Sequence, residues 1–250
     1  MDSLPSEQRG TVQLAVALGE LTTLLLATPS VEALLDDVAR LAASLTSPPA
    51  ECGITLRRDR ATFTSRTSVL ALYVDEVQYA QGSGPGLQAL DTGLAVAVAD
   101  VATEKRWGRY PAHAFGYGLR SSLSLPLSAD DGAHGALNLY AMVPYAFGDE
   151  QRRLAEMFAD QASVALTIVI RAARQVALIE QLRAALAGRS IIDQAVGILM
   201  GRQRCSADVA FGALRSASQY RNRRVHDVAS DIVRSVGGEE PRASPFRDPS

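Results

Sequence analysis

Apolar residues in the first 45 positions recur every three or four residues, which is the period of an amphipathic helix. Val12–Ala27 and Val31–Leu45 are the two segments that follow this period. Pro29 ends the first segment, and Ser30 has a side chain suited to the N-cap of the second. We therefore expect two helices at the start of the chain.

A period of two, typical of β-strands with one face in the core, replaces the helical period after residue 50. It predicts two hairpins, each with a short turn segment between its strands. The predicted strands and turns are Cys52–Arg57, Arg58–Arg60, Ala61–Arg66, Ser121–Leu127, Ala129–Gly132 and Gly135–Tyr140.

The segment between the two hairpins is more varied. Val69–Tyr79 returns to helical spacing, Gly82–Gly86 predicts a loop, and Leu94–Asp100 predicts another strand. Lys105–Tyr117 combines helix and loop and contains the one tryptophan. Together these segments predict an α+β domain over residues 11–172, in which helices flank an antiparallel sheet.

From Asp149 the helical period continues through residue 187, with a spacing close to that of a coiled coil. We expect the first half of this helix to pack on the sheet. Beyond Arg171 no sheet remains to cover, so residues 173–187 predict a helical linker with the apolar seam of a parallel homodimer. The positions of the repeat are Leu154, Met157, Gln161, Ala165, Ile168, Ala172, Ile179, Leu182 and Leu186.

Residues 188–237 predict an all-α domain of three short helices. The first, Ile191–Arg202, is expected to continue the linker helix, while the second follows Ser206 and the third follows Asn222 as N-caps. Residues 1–10 are a predicted tail, and residues 238–250 are a predicted disordered tail. The inward positions expected for the second and third helices are Ala210, Phe211, Leu214, Ala217, Val225, Val228, Ala229, Ile232 and Val236.

The 250 residues have the composition of an ordinary globular protein, with 47% hydrophobic and 21% charged residues. The net charge of −2 hides an uneven distribution. Residues 1–173 hold 13 basic and 19 acidic side chains, whereas residues 174–236 hold 10 basic and 5 acidic ones. A basic C-terminal part indicates a nucleic acid or another anion as partner.

Motifs of catalysis and metal binding are missing from the sequence. It has neither the glycine-rich phosphate-binding motif nor a Gly-x-Ser-x-Gly nucleophile motif, and its three histidines and two cysteines are scattered. We therefore expect no catalytic residue, no bound metal and no enzyme activity. The few cysteines, the absence of a basic signal-peptide region and the short apolar runs predict a cytoplasmic protein.

Five short motifs in residues 11–172 are Gly84–Leu90, Val98–Asp100, Arg106-Trp107, Gly118–Leu127 and Gly135–Tyr140. In this order and spacing they resemble a GAF domain, a small-molecule sensory fold, of the actinobacterial regulator type. Many relatives have cysteine where this chain has Gly86, so thiol chemistry is not expected there. The resemblance implies that the domain senses a ligand or a partner, but it does not identify the ligand. We expect no cofactor. It implies a pocket lined by Trp107, Tyr110, Phe115, Ser122 and Tyr140.

A second group of motifs comprises Arg189–Met200, Arg204–Phe211, Leu214–Gln219 and Asn222–Ala229. It resembles the ANTAR domain, the three-helix RNA-binding module of bacterial transcription antiterminators. Val196 and Arg224 stand where relatives often have lysine, so one cation is lost and one is kept. Guanidinium and amide groups can contact the bases and phosphates of RNA loops. The resemblance implies RNA contacts by Arg189, Gln194, Arg202, Arg204, Arg215, Gln219, Asn222, Arg223 and Arg224.

The two resemblances together imply a signal-responsive regulator of transcription antitermination. The GAF domain would detect a signal, and the ANTAR domain would bind hairpin loops in nascent RNA as a homodimer. Two alternatives stay open. A small basic three-helix unit can also bind DNA, and the chain can be a dimerisation scaffold whose basic face has no nucleic-acid partner.

Overall fold

The computed structural model of the chain describes residues 6–27, 30–46, 50–129 and 132–237. The chain divides into two compact units, Met1–Ala173 and Arg174–Ser250. Outside the described residues lie residues 1–5 of the predicted N-terminal tail, the predicted C-terminal tail, Pro29, and Asp130 and Asp131 of a predicted turn. The first helix begins at Ser6, within the segment that the sequence predicts as a tail.

The first unit contains a sheet and the helices that cover it. The predicted α+β class with an antiparallel sheet is confirmed, and most predicted elements are present. The elements are α1 (Ser6–Ala27), α2 (Val31–Ser44), β1 (Glu51–Arg58), β2 (Ala61–Arg66), α3 (Val69–Gln81), α4 (Pro85–Thr92), β3 (Val96–Val98), α5 (Tyr110–Gly116), β4 (Ser121–Ala129), β5 (Ala133–Ala141) and the first part of α6 (Asp149–Gln203).

Local sequence explains several of these boundaries. The Ser30 hydroxyl accepts a hydrogen bond of 3.2 Å from the Ala33 amide and caps α2, as predicted. Ser68 caps α3 in the same way. Gly82 ends α3 with a φ of 64°, a left-handed conformation that glycine adopts without steric cost.

Two predictions for the middle of the first unit are wrong in part. The predicted loop Gly82–Gly86 ends early, because Pro85 and Gly86 already form the first turn of α4, where proline is well tolerated. The predicted strand Leu94–Asp100 is reduced to Val96–Val98, because β3 pairs with β4 over these three residues only.

The strands lie in the order β2-β1-β5-β4-β3, and every neighbouring pair is antiparallel. One face of this sheet is apolar and shares a core with residues of α1, α2 and α6. Because each buried leucine or isoleucine contributes about 1.5–3 kcal/mol, this face provides much of the stability of the unit. Its strand residues are Cys52, Ile54, Leu56, Leu123, Leu125, Leu127, Ala133, Leu137 and Leu139.

The opposite face of the sheet is buried as well, but several of its side chains are polar. Ser122 lies opposite Tyr140 and Ser124 lies opposite Asn138 in the pairing of β4 with β5. All four side chains are buried. A second, smaller apolar cluster that includes residues of α3 and α5 lies at this face.

In the first unit, α6 packs its inner face into the core, as expected. Only some positions of the predicted repeat are buried in this part of α6. Leu154 and Ala165 are in the core, whereas Met157, Gln161 and Ile168 are exposed. The core positions of α6 are Leu154, Ala155, Phe158, Ala159, Ala162, Ala165, Leu166, Val169 and Ile170.

The second unit contains the end of α6 together with α7 (Ala207–Arg221) and α8 (Val225–Gly237). As predicted, the first short helix is continuous with the linker helix, and Ser206 caps α7 by accepting from the Val209 amide at 3.4 Å. The three helices enclose a small core, and its buried residues are Ile191, Ala195, Leu214, Val228 and Ala229.

Three predictions for the second unit are wrong. Asn222 does not cap α8, because it ends α7 in the left-handed conformation with a φ of 48°, which asparagine tolerates better than most residues. Arg223 and Arg224 consequently lie between the helices. Phe211 and Val236 do not point inward, because both side chains are exposed.

By length and composition alone, α6 could cross a membrane, and it is the one such helix among the described residues. Its most apolar window is 28% buried within the structure. Core helices of water-soluble proteins pass the same test, so the observation is weak evidence for a membrane span.

Candidate functional site

Buried polar side chains fill the space between the sheet and the helices α3, α4 and α5, and we call them the polar layer. They are Asp75, Gln78, Tyr110, Ser122, Ser124, Asn138 and Tyr140. Asp75 lies at the centre of this layer. Its Oδ1 atom accepts hydrogen bonds from the Tyr140 hydroxyl at 2.6 Å and from Asn138 Nδ2 at 3.2 Å. Its Oδ2 atom lies 3.5 Å from Arg66 Nε. Burial outweighs these contacts and raises the pKa of the Asp75 carboxyl to about 6. The layer therefore holds a carboxylate whose charge the surrounding protein compensates incompletely.

Gln78 joins this layer to the first turn of α4. It lies three residues after Asp75, so both side chains leave the same face of α3. Its Nε2 atom donates to the Tyr140 hydroxyl at 3.0 Å, and its Oε1 atom accepts from the Gly86 amide at 2.7 Å. A Cβ atom at Gly86 would stand 2.6 Å from Asn138 Oδ1. The glycine therefore allows α4 to approach the polar side chains closely.

Five polar atoms of this layer are buried and have no hydrogen-bond partner among the described residues. They are Asp75 Oδ2, Tyr110 Oη, Ser122 Oγ, Ser124 Oγ and Asn138 Oδ1. The Arg66 Nε donor that faces Asp75 Oδ2 at 3.5 Å is buried and unpaired as well. Leaving a buried polar atom unpaired costs about 1–3 kcal/mol. A sheet face that served stability alone would be apolar like the opposite face, so this layer is a candidate binding site.

The structure gathers some of the residues that the sequence predicts for the sensory pocket. Tyr110, Ser122 and Tyr140 are all buried. Trp107 lies at the edge of the layer, where its ring meets Tyr110 edge-on at 6.1 Å. Phe115 lies apart, because its side chain is 39% exposed and the Arg120 guanidinium covers its ring at 3.8 Å.

Asp75, Gln78 and Asn138 are the residues of the layer that the sequence pattern does not identify. A weak signal for Asn138 exists, since it alternates with leucines in β5 as Ser122 and Ser124 do in β4. Asp75 carries no such signal. The neighbouring Glu76 is also acidic, yet its side chain is exposed while that of Asp75 is buried.

In the second unit, the candidate RNA-contacting residues fall into two groups. Gln194 is half-buried, with its Nε2 atom 3.5 Å from Ser190 Oγ. Arg223 is paired, because its Nη1 atom lies 2.5 Å from Asp231 Oδ2. Arg223 and the remaining candidates have exposed side chains, and the remaining candidates are Arg189, Arg202, Arg204, Arg215, Gln219, Asn222 and Arg224.

The turn between α7 and α8 presents several of these side chains together. The Asn222 amide donates to the Gln219 carbonyl at 3.2 Å, and the Arg223 amide donates to the Ser218 carbonyl at 3.1 Å. Asn222 and Arg224 are exposed on this turn. Tyr220, just before the turn, is 93% exposed, and the sequence pattern does not identify it. An exposed aromatic ring beside cations is suited to contact with unstacked bases.

Comparison with protein families assigns both units. Residues 28–167 match the model of the GAF domain, and residues 180–233 match that of the ANTAR domain. The chain belongs to the GAF family and carries an ANTAR domain. It is therefore a GAF–ANTAR two-domain protein, as the sequence motifs indicate. GAF domains are sensory and ANTAR domains act in RNA-binding antitermination, which makes the chain a sensor-regulated antitermination regulator in general terms.

Solved structures share the fold of the GAF domain at low sequence identity. An N-acylhomoserine-lactone-dependent LuxR-family transcription factor, CepR2 of Burkholderia cenocepacia, is 19% identical with a TM-score of 0.50, over 62% of this chain and 96% of that one. The GAF domain of a phosphoenolpyruvate-protein phosphotransferase from Coxiella burnetii is 16% identical, with a TM-score of 0.49 over 67% and 98%.

A free methionine-R-sulfoxide reductase of Neisseria meningitidis is 15% identical, with a TM-score of 0.47 over 64% of this chain and 91% of that one. GAF and ANTAR domains are regulatory domains. No curated protein matches the chain.

Proposed function

We propose that this GAF–ANTAR protein is a cytoplasmic, non-enzymatic regulator that binds hairpin loops in nascent RNA and favours an antiterminator structure over a terminator hairpin. The observation that carries the proposal is the ANTAR match over residues 180–233 together with the exposed arginines of that segment. The GAF domain detects a ligand or a partner, and the signal alters RNA binding.

Four arginines of the ANTAR domain have side chains suited to phosphates or base edges. Arg202, Arg204, Arg215 and Arg224 are exposed, and the described residues contain no ion-pair partner for them. Guanidinium groups bind phosphate in a fork geometry and stack on bases. Arg223 contributes less to the proposed interface, because it pairs with Asp231, a carboxylate that Arg234 also approaches to 3.8 Å.

The proposed RNA-binding form is a homodimer joined through α6. Residues 171–186 are exposed throughout in the single chain. Ile179, Leu182 and Leu186 of the predicted seam are 48%, 56% and 61% exposed. Burying such side chains against a second copy of the same helix contributes roughly 1.5–3 kcal/mol each, which supports the proposed coiled coil.

Binding to a pool of stem-loop RNAs with random loop sequences tests the proposal without knowledge of the target. The affinity of the full chain for these RNAs is compared with its affinity for duplex DNA of the same sequences. Both are measured at one salt concentration, because phosphate contacts depend strongly on salt. We expect selective retention of a subset of RNA loops. Equal or stronger binding of duplex DNA would favour a DNA-binding regulator, and binding of neither would favour a dimerisation scaffold.

A further inference from the structure

We propose that the polar layer between the sheet and α3–α5 binds a small ligand through a positively charged nitrogen, an ammonium or amidinium group, with Asp75 as its anchor. The inference deepens the sensory role proposed above and rests on it. The carrying observation is that Asp75 Oδ2, Asn138 Oδ1 and three hydroxyl groups are buried without hydrogen-bond partners among the described residues.

The unpaired atoms define which hydrogen-bonding groups the ligand needs. A carboxylate oxygen and an amide oxygen can only accept hydrogen bonds, whereas hydroxyl groups can donate or accept. The orientation of the Asn138 amide is fixed by its contact with Asp75 Oδ1, because a carboxylate oxygen must receive an N–H group there. Asn138 Oδ1 therefore requires a donor, and Asp75 Oδ2 can accept one at shorter range than Arg66 Nε, which lies 3.5 Å away. The hydroxyl groups of Tyr110, Ser122 and Ser124 can accept a further N–H of the charged group, or contact a polar substituent of a larger ligand.

The charge of the layer favours a cation over a neutral donor. Arg66 on β2 is the one cation within ion-pair distance of Asp75 among the described residues, and the two atoms lie 3.5 Å apart without forming a hydrogen bond. A buried carboxylate with such incomplete compensation gains most from a second positive charge. The same carboxylate would repel an anionic ligand.

Five titratable groups interact with Asp75 electrostatically or by a hydrogen bond. Arg66 on β2 is a cation, whereas burial raises the pKa of the Cys52 thiol on β1 and of the tyrosine hydroxyls on α3, α5 and β5. These four groups stay neutral near pH 7, so Asp75 alone changes charge between pH 5 and 7.5. The ligand is expected to bind more tightly at pH 7.5, because the ionised carboxylate is its partner. The tyrosines are Tyr79, Tyr110 and Tyr140.

The segment before α5 is a part of the cover that is open to solvent. Trp107 is half-exposed and lies next to Tyr110, whose hydroxyl is one of the unpaired groups. Trp107 and Gly108 have φ values of 61° and 58°, and tryptophan rarely adopts this left-handed conformation. Because the unpaired atoms are enclosed, ligand entry requires part of the cover to move, and this segment is the part that we propose.

Three planar probes with the same number of heavy atoms test the charge preference: acetamidinium, acetamide and acetate. The melting temperature of the full chain is measured at pH 7.5 with each probe at millimolar concentration and constant ionic strength. We expect a saturable rise with acetamidinium, a smaller one with acetamide and none with acetate. The acetamidinium effect should weaken at pH 5. Equal effects of the three probes, or no effect of acetamidinium, would overturn the proposal.

Variants locate the binding. Asp75→Asn should abolish the acetamidinium effect, whereas Asp91→Asn, which alters an exposed carboxylate on α4, should leave it unchanged. If Asp75→Asn does not fold, Ser124→Ala gives the answer, because its hydroxyl has no partner to lose. That variant should weaken acetamidinium binding about threefold to tenfold. Unchanged binding in it would contradict the site. Since the assay contains no RNA, its failure leaves the proposed RNA binding untouched.

Discussion

Arg223 and Asp231 form an ion pair that joins the α7–α8 turn to α8, with Nη1 and Oδ2 2.5 Å apart. The side chain of the adjacent Arg224 is exposed and has no ion-pair partner among the described residues. Two neighbouring arginines that look equivalent in sequence therefore differ in how much positive charge they can offer to RNA.

This difference predicts unequal effects on RNA binding. Arg224→Ala should weaken RNA binding about tenfold, which corresponds to roughly 1.4 kcal/mol. Its salt dependence should become shallower by about 0.7 in log–log slope, for one lost phosphate contact to a single strand. The paired replacement Arg223→Ala with Asp231→Ala leaves the net charge unchanged and should bind nearly as well as the unmodified protein. RNA titrations at several salt concentrations measure the affinity and the salt slope of each variant. Equal losses of affinity in the two variants would show that Arg223 and Arg224 do not differ in their contribution.

Tyr220 is predicted to stack on an RNA base. Tyr220→Ala should weaken binding about 5- to 150-fold, since one base–aromatic stack is worth about 1–3 kcal/mol. Tyr220→Phe keeps the ring and should retain the affinity. Because the side chain is 93% exposed, neither change should lower the melting temperature appreciably. An alanine variant with unaltered RNA affinity would show that the ring is only a solvent-exposed side chain.

The dimer is predicted to depend on the second half of α6. Replacing Ile179 and Leu182 with aspartate places charges in the proposed seam and should give monomers by light scattering. Gln181→Asp, an exposed position between them, is the matched control and should remain dimeric. Circular dichroism checks that helix content is retained. A dimer that persists in the double variant would place the interface elsewhere, with α1 as the next candidate.

Asp75 predicts a characteristic pH dependence of stability. Its pKa is raised from 3.8 to about 6 in the folded protein, so the native state binds a proton more tightly than the unfolded chain. The free energy of unfolding should therefore decrease as the pH rises from about 4 to 6, and the loss should persist above pH 6. Asp75→Asn removes this dependence. Urea unfolding at pH 4.5 and pH 7 measures the difference in unfolding free energy between the unmodified protein and the variant. The same difference at both pH values would show that Asp75 does not titrate in this range.

Periodicity and turn chemistry predict most of the fold, because they reflect local constraints. The alternation of serine and leucine in Ser121–Leu127 and the cap at Ser30 are examples, and both elements form as expected. Asn222 shows the limit of local information, since asparagine suits both an N-cap and a left-handed helix end. The choice between them depends on the packing of α7 against α8.

The candidate sites depend more on tertiary contacts and are less visible in the sequence. Asp75 and Glu76 are adjacent acids on one helix, and only the position of α3 on the sheet buries the first and exposes the second. The pairing of Arg223 with Asp231 spans eight residues and a turn. Neither relationship follows from a pattern of hydrophobic and polar residues.

The most direct test of RNA binding as the function of the chain is crosslinking of the full-length protein to RNA in cells, followed by sequencing of the recovered RNA. A variant with Arg215→Ala and Arg224→Ala serves as the matched control, because both side chains are exposed. We predict enrichment of hairpins that lie upstream of terminators, reduced strongly in the variant. Recovery of RNA at background level, or equal recovery with the variant, would contradict the proposed function.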